Sequence, residues 1–162
     1  MKNVAFVTYN TVGDQLSSGW HDGPGGRRAL LIQNTRGQRW GARSNPGVPS
    51  GGNRTTDESA DRVRGEIDTL WGQLQQALSE LDHVVVYVGA NGSEQAIAHA
   101  AKLPASKVTF VGCTCGLPYK ESMVRSAGLA SARRVVCECG GHRTMGRIFT
   151  RFMETGELLP SS

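Results

Sequence analysis

From residue 83 onward, short runs of β-branched and aliphatic residues alternate with stretches whose apolar positions recur every three or four residues. Val84–Val88, Val108–Val111 and Arg134–Val136 read as strands, and Ser93–Lys102, Pro118–Ser126 and Arg143–Glu154 as helices. Alternating units of this length predict a parallel sheet with right-handed crossovers. In the last helix, Met145, Ile148, Phe149 and Phe152 form an apolar face, and Arg143, Arg147 and Arg151 recur one turn apart on another.

The first half is less regular. Residues 3–9 read as a strand apolar enough to be central, and Gly19-Trp20-His21-Asp22-Gly23-Pro24 as part of a loop. Residues 29–33 read as a second strand, with a turn at 34–37 into a short third strand near 38–42. Residues 43–54 carry no hydrophobic period and are expected to form a mobile loop. Thr55 and Glu58 then make a capping box. Ala60, Val63, Ile67, Leu70, Leu74, Ala77 and Leu81 continue in steps of three and four, widened by Trp71 and Leu78. A helix over 57–81 would run roughly 37 Å. It either overhangs the core it packs on or carries its seam into a second copy of the chain, a homo-oligomer through 57–81.

These elements predict a three-layer, Rossmann-like α/β fold with a central, mainly parallel sheet of about five strands. An antiparallel element near 29–42 would extend one edge. At 162 residues the chain fits a single α/β domain over 1–155, followed by a disordered tail at 156–162. The formal charge of +4 favours an anionic partner: a nucleotide, another phosphorylated small molecule, or nucleic acid. Arg36, Arg39, Trp40, Arg43 and Arg54 interleave cation and aromatic in a way that suits the last of these. The N-terminal apolar stretch is too short for a leader or a spanning helix. A cytoplasmic location without a membrane partner is therefore expected, with thiols free or metal-bound.

The chemistry concentrates in the cysteines. All four lie in two copies of Cys-x-Cys-Gly, Cys113–Gly116 and Cys137–Gly140, each at a predicted strand-to-helix junction. In a parallel sheet those junctions open on one edge, where ligand sites are normally built. If the two strands are neighbours, about 4.8 Å apart, Cys113, Cys115, Cys137 and Cys139 can converge on one metal. Zinc is the default for four thiolates, and an iron–sulfur cluster the less common choice. His142 is a further nitrogen ligand or anion donor nearby. Gly89-Ala90-Asn91-Gly92-Ser93-Glu94 also joins a strand to a helix, so Asn91, Gly92 and Ser93 are candidate phosphate contacts at a helix N-terminus, with Gly140, Gly141 and Arg143 from the second cysteine loop.

Residues 137–144 admit a second reading. Cys137-Glu138-Cys139-Gly140-Gly141-His142-Arg143-Thr144 resembles the C-x-x-G-x-x-R-[S/T] loop of cysteine-dependent phosphatases. That resemblance implies Cys137 as nucleophile, Arg143 as phosphate clamp and Thr144 as the hydroxyl assisting departure of the thiolate. The general acid would have to come from elsewhere, for example Asp14, Asp22 or Glu121. The readings compete, because a zinc-bound Cys137 is not a free nucleophile. Tyr119 stands in the first copy where the second has Arg143, and the repetition of the cysteine pair favours metal. The leading expectation is a zinc-stabilised domain that binds a phosphorylated ligand, with the thiol enzyme and a self-associating assembly module as alternatives.

Overall fold

A computed structural model describes residues 1–8, 19–32, 68–69, 71–88, 93–114, 116–137 and 141–158. The strands are β1 (Asn3–Val7), β2 (Gly19–Asp22), β3 (Arg28–Ile32), β4 (His83–Tyr87), β5 (Val108–Cys113) and β6 (Arg133–Cys137). The helices are α1 (71–77), α2 (Ser93–Ala100), α3 (Glu121–Ser126) and α4 (Gly141–Thr155). The sheet is mixed and mostly parallel, in the order β2-β3-β1-β4-β5-β6; among the described strands β2 alone runs antiparallel to its neighbour.

Both faces of this sheet are covered, which explains why Val84–Val86 of β4 and Val4–Val7 of β1 are continuously apolar rather than alternating. Ala5, Val7, Val84, Val86, Val108 and Phe110 pack on one face against Trp71, Leu74, Ala96, Ile97 and Val124 of α1, α2 and α3. On the opposite face, Val4, Phe6, Val85, Tyr87 and Val111 meet Met145, Ile148, Phe149 and Phe152 of α4. The α4 residues are the apolar stripe read from the sequence. Phe6 meets Phe149 edge-on, with ring centroids 5.4 Å apart.

Several expectations need correction. Among the described residues the sheet has six strands, where about five were expected. Its antiparallel edge lies before β3, because Gly19–Asp22 pairs with Arg28–Leu31 where a loop was expected. The half-polar pattern of this segment suits an edge strand, and the Arg28 guanidinium lies 4.0 Å over the Trp20 ring. The expected helix at 118–126 divides into a 3-10 turn, Leu117–Lys120, and the shorter α3. Leu158, after α4, is buried. Gly156, at φ +76°, closes α4 through its N–H to the Phe152 carbonyl at 2.8 Å. Arg27 donates to the carbonyls of Met153 and Glu154, placing a cation at the negative end of that helix. The expected strand at 38–42, loop at 43–54, residues 57–67 of the long helix and tail residues 159–162 lie outside the described residues.

Register at the start of the sheet is set by Asp82. Its Oδ2 accepts from the backbone N–H groups of Lys2 and Asn3 at 2.9 and 3.0 Å, and its own N–H donates to the Asn3 carbonyl at 2.8 Å. These backbone donors hold the Asp82 carboxyl below the ordinary carboxylate range. Asp82→Ala should cost about 1 kcal/mol, the low end for charged hydrogen bonds because the group is exposed. Thermal unfolding at neutral pH reads this loss. It should shrink in strong acid, where the wild-type carboxylate is itself protonated, and a pH-independent loss would refute the account.

Candidate functional site

The two cysteine strands are neighbours. β5 and β6 pair in parallel with Cys113 opposite Cys137, each the last residue of its strand. The ladder continues one step further, where the Thr114 N–H donates to the Cys137 carbonyl at 2.9 Å. The two Cys-x-Cys segments therefore begin side by side, at Cys113 and Cys137. The Cys137 thiol is half-buried and donates to the Gly112 carbonyl at 3.2 Å, turned across to the strand that carries Cys113.

Gly112 makes this junction possible and was not singled out from the sequence. A Cβ there would lie 2.6 Å from the Val88 carbonyl oxygen and 2.7 Å from the Leu117 Cβ, closer than real Cβ atoms approach other atoms. The chain after β5 folds back tightly over the strand end, burying Leu117 in the core. A glycine inside an otherwise β-branched run was the available signal, since such a glycine often marks close approach of another backbone.

Around this edge, β4 ends beside β5, and α2 begins at Ser93. Lys120 donates to Glu94 Oε1 at 2.9 Å, tying the turn after β5 to the first turn of α2. That hydrogen bond lowers the Glu94 pKa and keeps the carboxylate ionised. Beneath it, Arg134 grips both oxygens of Glu121, at 3.2 and 2.9 Å, and also donates to the carbonyls of Ala130 and Ala132. The fork locks β6 to α3.

Ser93 stands at the start of α2, whose residues pack on one face of the sheet, while Gly141 and Arg143 open α4, which packs on the other. A ligand contacting both helix starts has to lie across the strand tips between them. Thr144, also in the first turn of α4, is partly buried. Cys115, Cys139, Gly140, Asn91 and Gly92 lie outside the described residues. Among the described residues no group of three or more His, Cys, Asp or Glu side chains converges, and of the four thiols only that of Cys137 belongs to them. No helix among them is long and apolar enough to cross a membrane.

One titratable group missed by the sequence reading sits at the other end of the strands. His83 is buried and its Nε2 lies 2.7 Å from Thr109 Oγ1. Burial first, and the Arg133 charge second, push its pKa below the ordinary histidine value of 6.5. The unfolded chain therefore binds this proton before the native state does. Stability is full above about pH 6.5 and falls as the pH drops through the native pKa. Urea denaturation between about pH 7 and pH 5 should show that decline, and His83→Gln should flatten it. An unchanged slope in the variant would assign the decline elsewhere.

Compared with known proteins, the chain matches no family, no curated protein and no solved structure.

Proposed function

We propose that this chain is a cytoplasmic, zinc-stabilised α/β domain that binds a nucleotide or another phosphorylated ligand at the C-terminal edge of its sheet, in the manner of Rossmann-like folds. The observation that carries the reading is the pairing of Cys113 with Cys137 at the ends of adjacent strands. Thiolates from both Cys-x-Cys segments then need only a turn of chain each to enclose a metal, with Cys113, Cys115, Cys137 and Cys139 as ligands. The glycines after each pair supply the backbone freedom for that turn. The zinc is structural, because four thiolates leave no open coordination position. Binding it displaces the Cys137 proton now shared with the Gly112 carbonyl. The ligand phosphate lies across the strand tips, met by Asn91, Gly92 and Ser93 from one side and by Gly140, Gly141 and Arg143 from the other.

The strand order supports the placement. It reverses between β1 and β4, and crevices at such switch points are where open α/β sheets take ligands. The phosphatase-like alternative is less well supported. Only residues 138–140 separate β6 from α4, and Cys137 is directed at a neighbouring strand.

Elemental analysis of protein purified under reducing conditions without chelator tests the metal. About one zinc per chain is expected. Iron in its place would redirect the reading to a cluster, and metal-free protein would overturn it and return Cys137 and Arg143 to the front.

A further inference from the structure

A cavity of about 440 Å³ opens at the N-terminal edge of the sheet, the edge opposite the cysteines. Its floor comes from three adjacent strands: His83 begins β4, Thr109 lies near the start of β5, and Arg133 begins β6. Ser106 and Ser131, from the turns before β5 and β6, stand beside them, and Leu158 closes the far side.

Two features distinguish this place from a surface dent. His83 and Thr109 are polar side chains 7% and 1% exposed, on a sheet face whose other buried strand residues include Val4, Phe6, Val85, Tyr87 and Val111. Burying polar groups there costs stability that an apolar pair would not. The lining is also rich in donors. Arg133 has no carboxylate partner among the described residues, whereas Glu157 at the rim is held by Arg151 at 2.7 Å. The His83–Thr109 hydrogen bond adapts to an anion. When the threonine hydroxyl donates to Nε2, the neutral ring carries its proton on Nδ1 and presents it as a donor.

We infer that this cavity is a binding site for a small carboxylate with a short apolar tail. The Arg133 guanidinium receives the carboxylate, the fork geometry for which arginine is suited. His83, Ser106 and Ser131 complete the donor set, and the tail lies against Leu158. A guanidinium beside Met1 and Leu158, with the Glu157 carboxylate at the rim, favours a singly charged, partly apolar ligand over phosphate. The site is separate from the metal edge and does not depend on it.

Titration of ¹⁵N-labelled protein, as purified, with butyrate, and in parallel with inorganic phosphate, tests this. Butyrate should give saturable amide shifts at Ser106, Ser131 and Arg133, with Thr114 and Cys137 unmoved. Arg133→Gln, at an exposed edge-strand position, should weaken binding about tenfold or more. Arg125→Gln, which removes the same charge from the surface of α3, should leave it unchanged. Bound butyrate should also raise the pH midpoint of the His83 ring signals, because a neighbouring anion favours the imidazolium. Absence of saturation, equal affinity in Arg133→Gln, or shifts confined to Thr114 and Cys137 would each overturn the assignment. Tighter binding of phosphate than of butyrate would overturn the carboxylate class.

Discussion

Gly112→Ala should lower the melting temperature by about 3–10 °C, from roughly 1–3 kcal/mol of overpacking in a domain of this size. The added methyl meets the Val88 carbonyl at 2.6 Å and the Leu117 Cβ at 2.7 Å, and neither is the flexible end of a long side chain. Relief requires moving backbone. The Val88 N–H donates to the Val111 carbonyl at 2.8 Å, so parting β4 from β5 at this level also strains the last rung of their ladder. Moving the other way lifts Leu117 out of the core. The Gly112 carbonyl accepts the Cys137 thiol, so the same change disturbs the edge that carries the thiols. Differential scanning calorimetry reads the loss. A variant as stable as the wild type would show that the backbones at this crossing are not in close contact.

If the chain holds zinc as proposed, metal removal should produce the larger effect. A ligand that binds only the folded state at about a thousandfold excess over its dissociation constant stabilises it by about 4 kcal/mol. Stripping zinc should then lower the melting temperature by about 10 °C. Cys113→Ser and Cys137→Ser should each reproduce that loss, and the double variant should add little, because either substitution already dismantles the same site. In metal-free protein, Cys137→Ser should be nearly silent, since it exchanges one weak donor to the Gly112 carbonyl for a hydroxyl. Large, additive losses from the two substitutions in metal-free protein would instead mark the cysteines as packing residues. The phosphatase-like alternative predicts a different pattern: Cys137→Ser would abolish turnover and leave stability and metal content untouched.

The parts of the fold legible in the sequence share one cause. Val84–Tyr87 of β4 and Phe110–Val111 of β5 are apolar in unbroken runs because helices cover both faces, and Met145, Ile148, Phe149 and Phe152 recur at helical spacing because one face of α4 is buried. Such patterns are local and survive without knowledge of partners. β2 was not legible, because an edge strand with one neighbour carries a mixed pattern that a loop also carries. The short α3 was obscured because Pro118 reads as the opening of a helix, yet the chain first makes a 3-10 turn over Leu117–Lys120 that packs against Gly112.

At the thiol edge, spacing identified two junctions of matching chemistry, but adjacency depends on strand order. Strand order depends on which apolar faces bury one another, and no residue within either Cys-x-Cys segment encodes it. Likewise His83 and Thr109 are 26 positions apart, and their pairing exists only because β4 and β5 lie side by side in parallel. The sequence by itself determined the alternation of strands and helices, the apolar stripe of α4 and the presence of two thiol pairs at strand ends, since each follows from spacing over a few residues. Only the tertiary structure decided that Cys113 and Cys137 are neighbours, that Gly112 must lack a side chain, and that His83, Thr109 and Arg133 share one cavity, because proximity between distant positions is created by long-range packing.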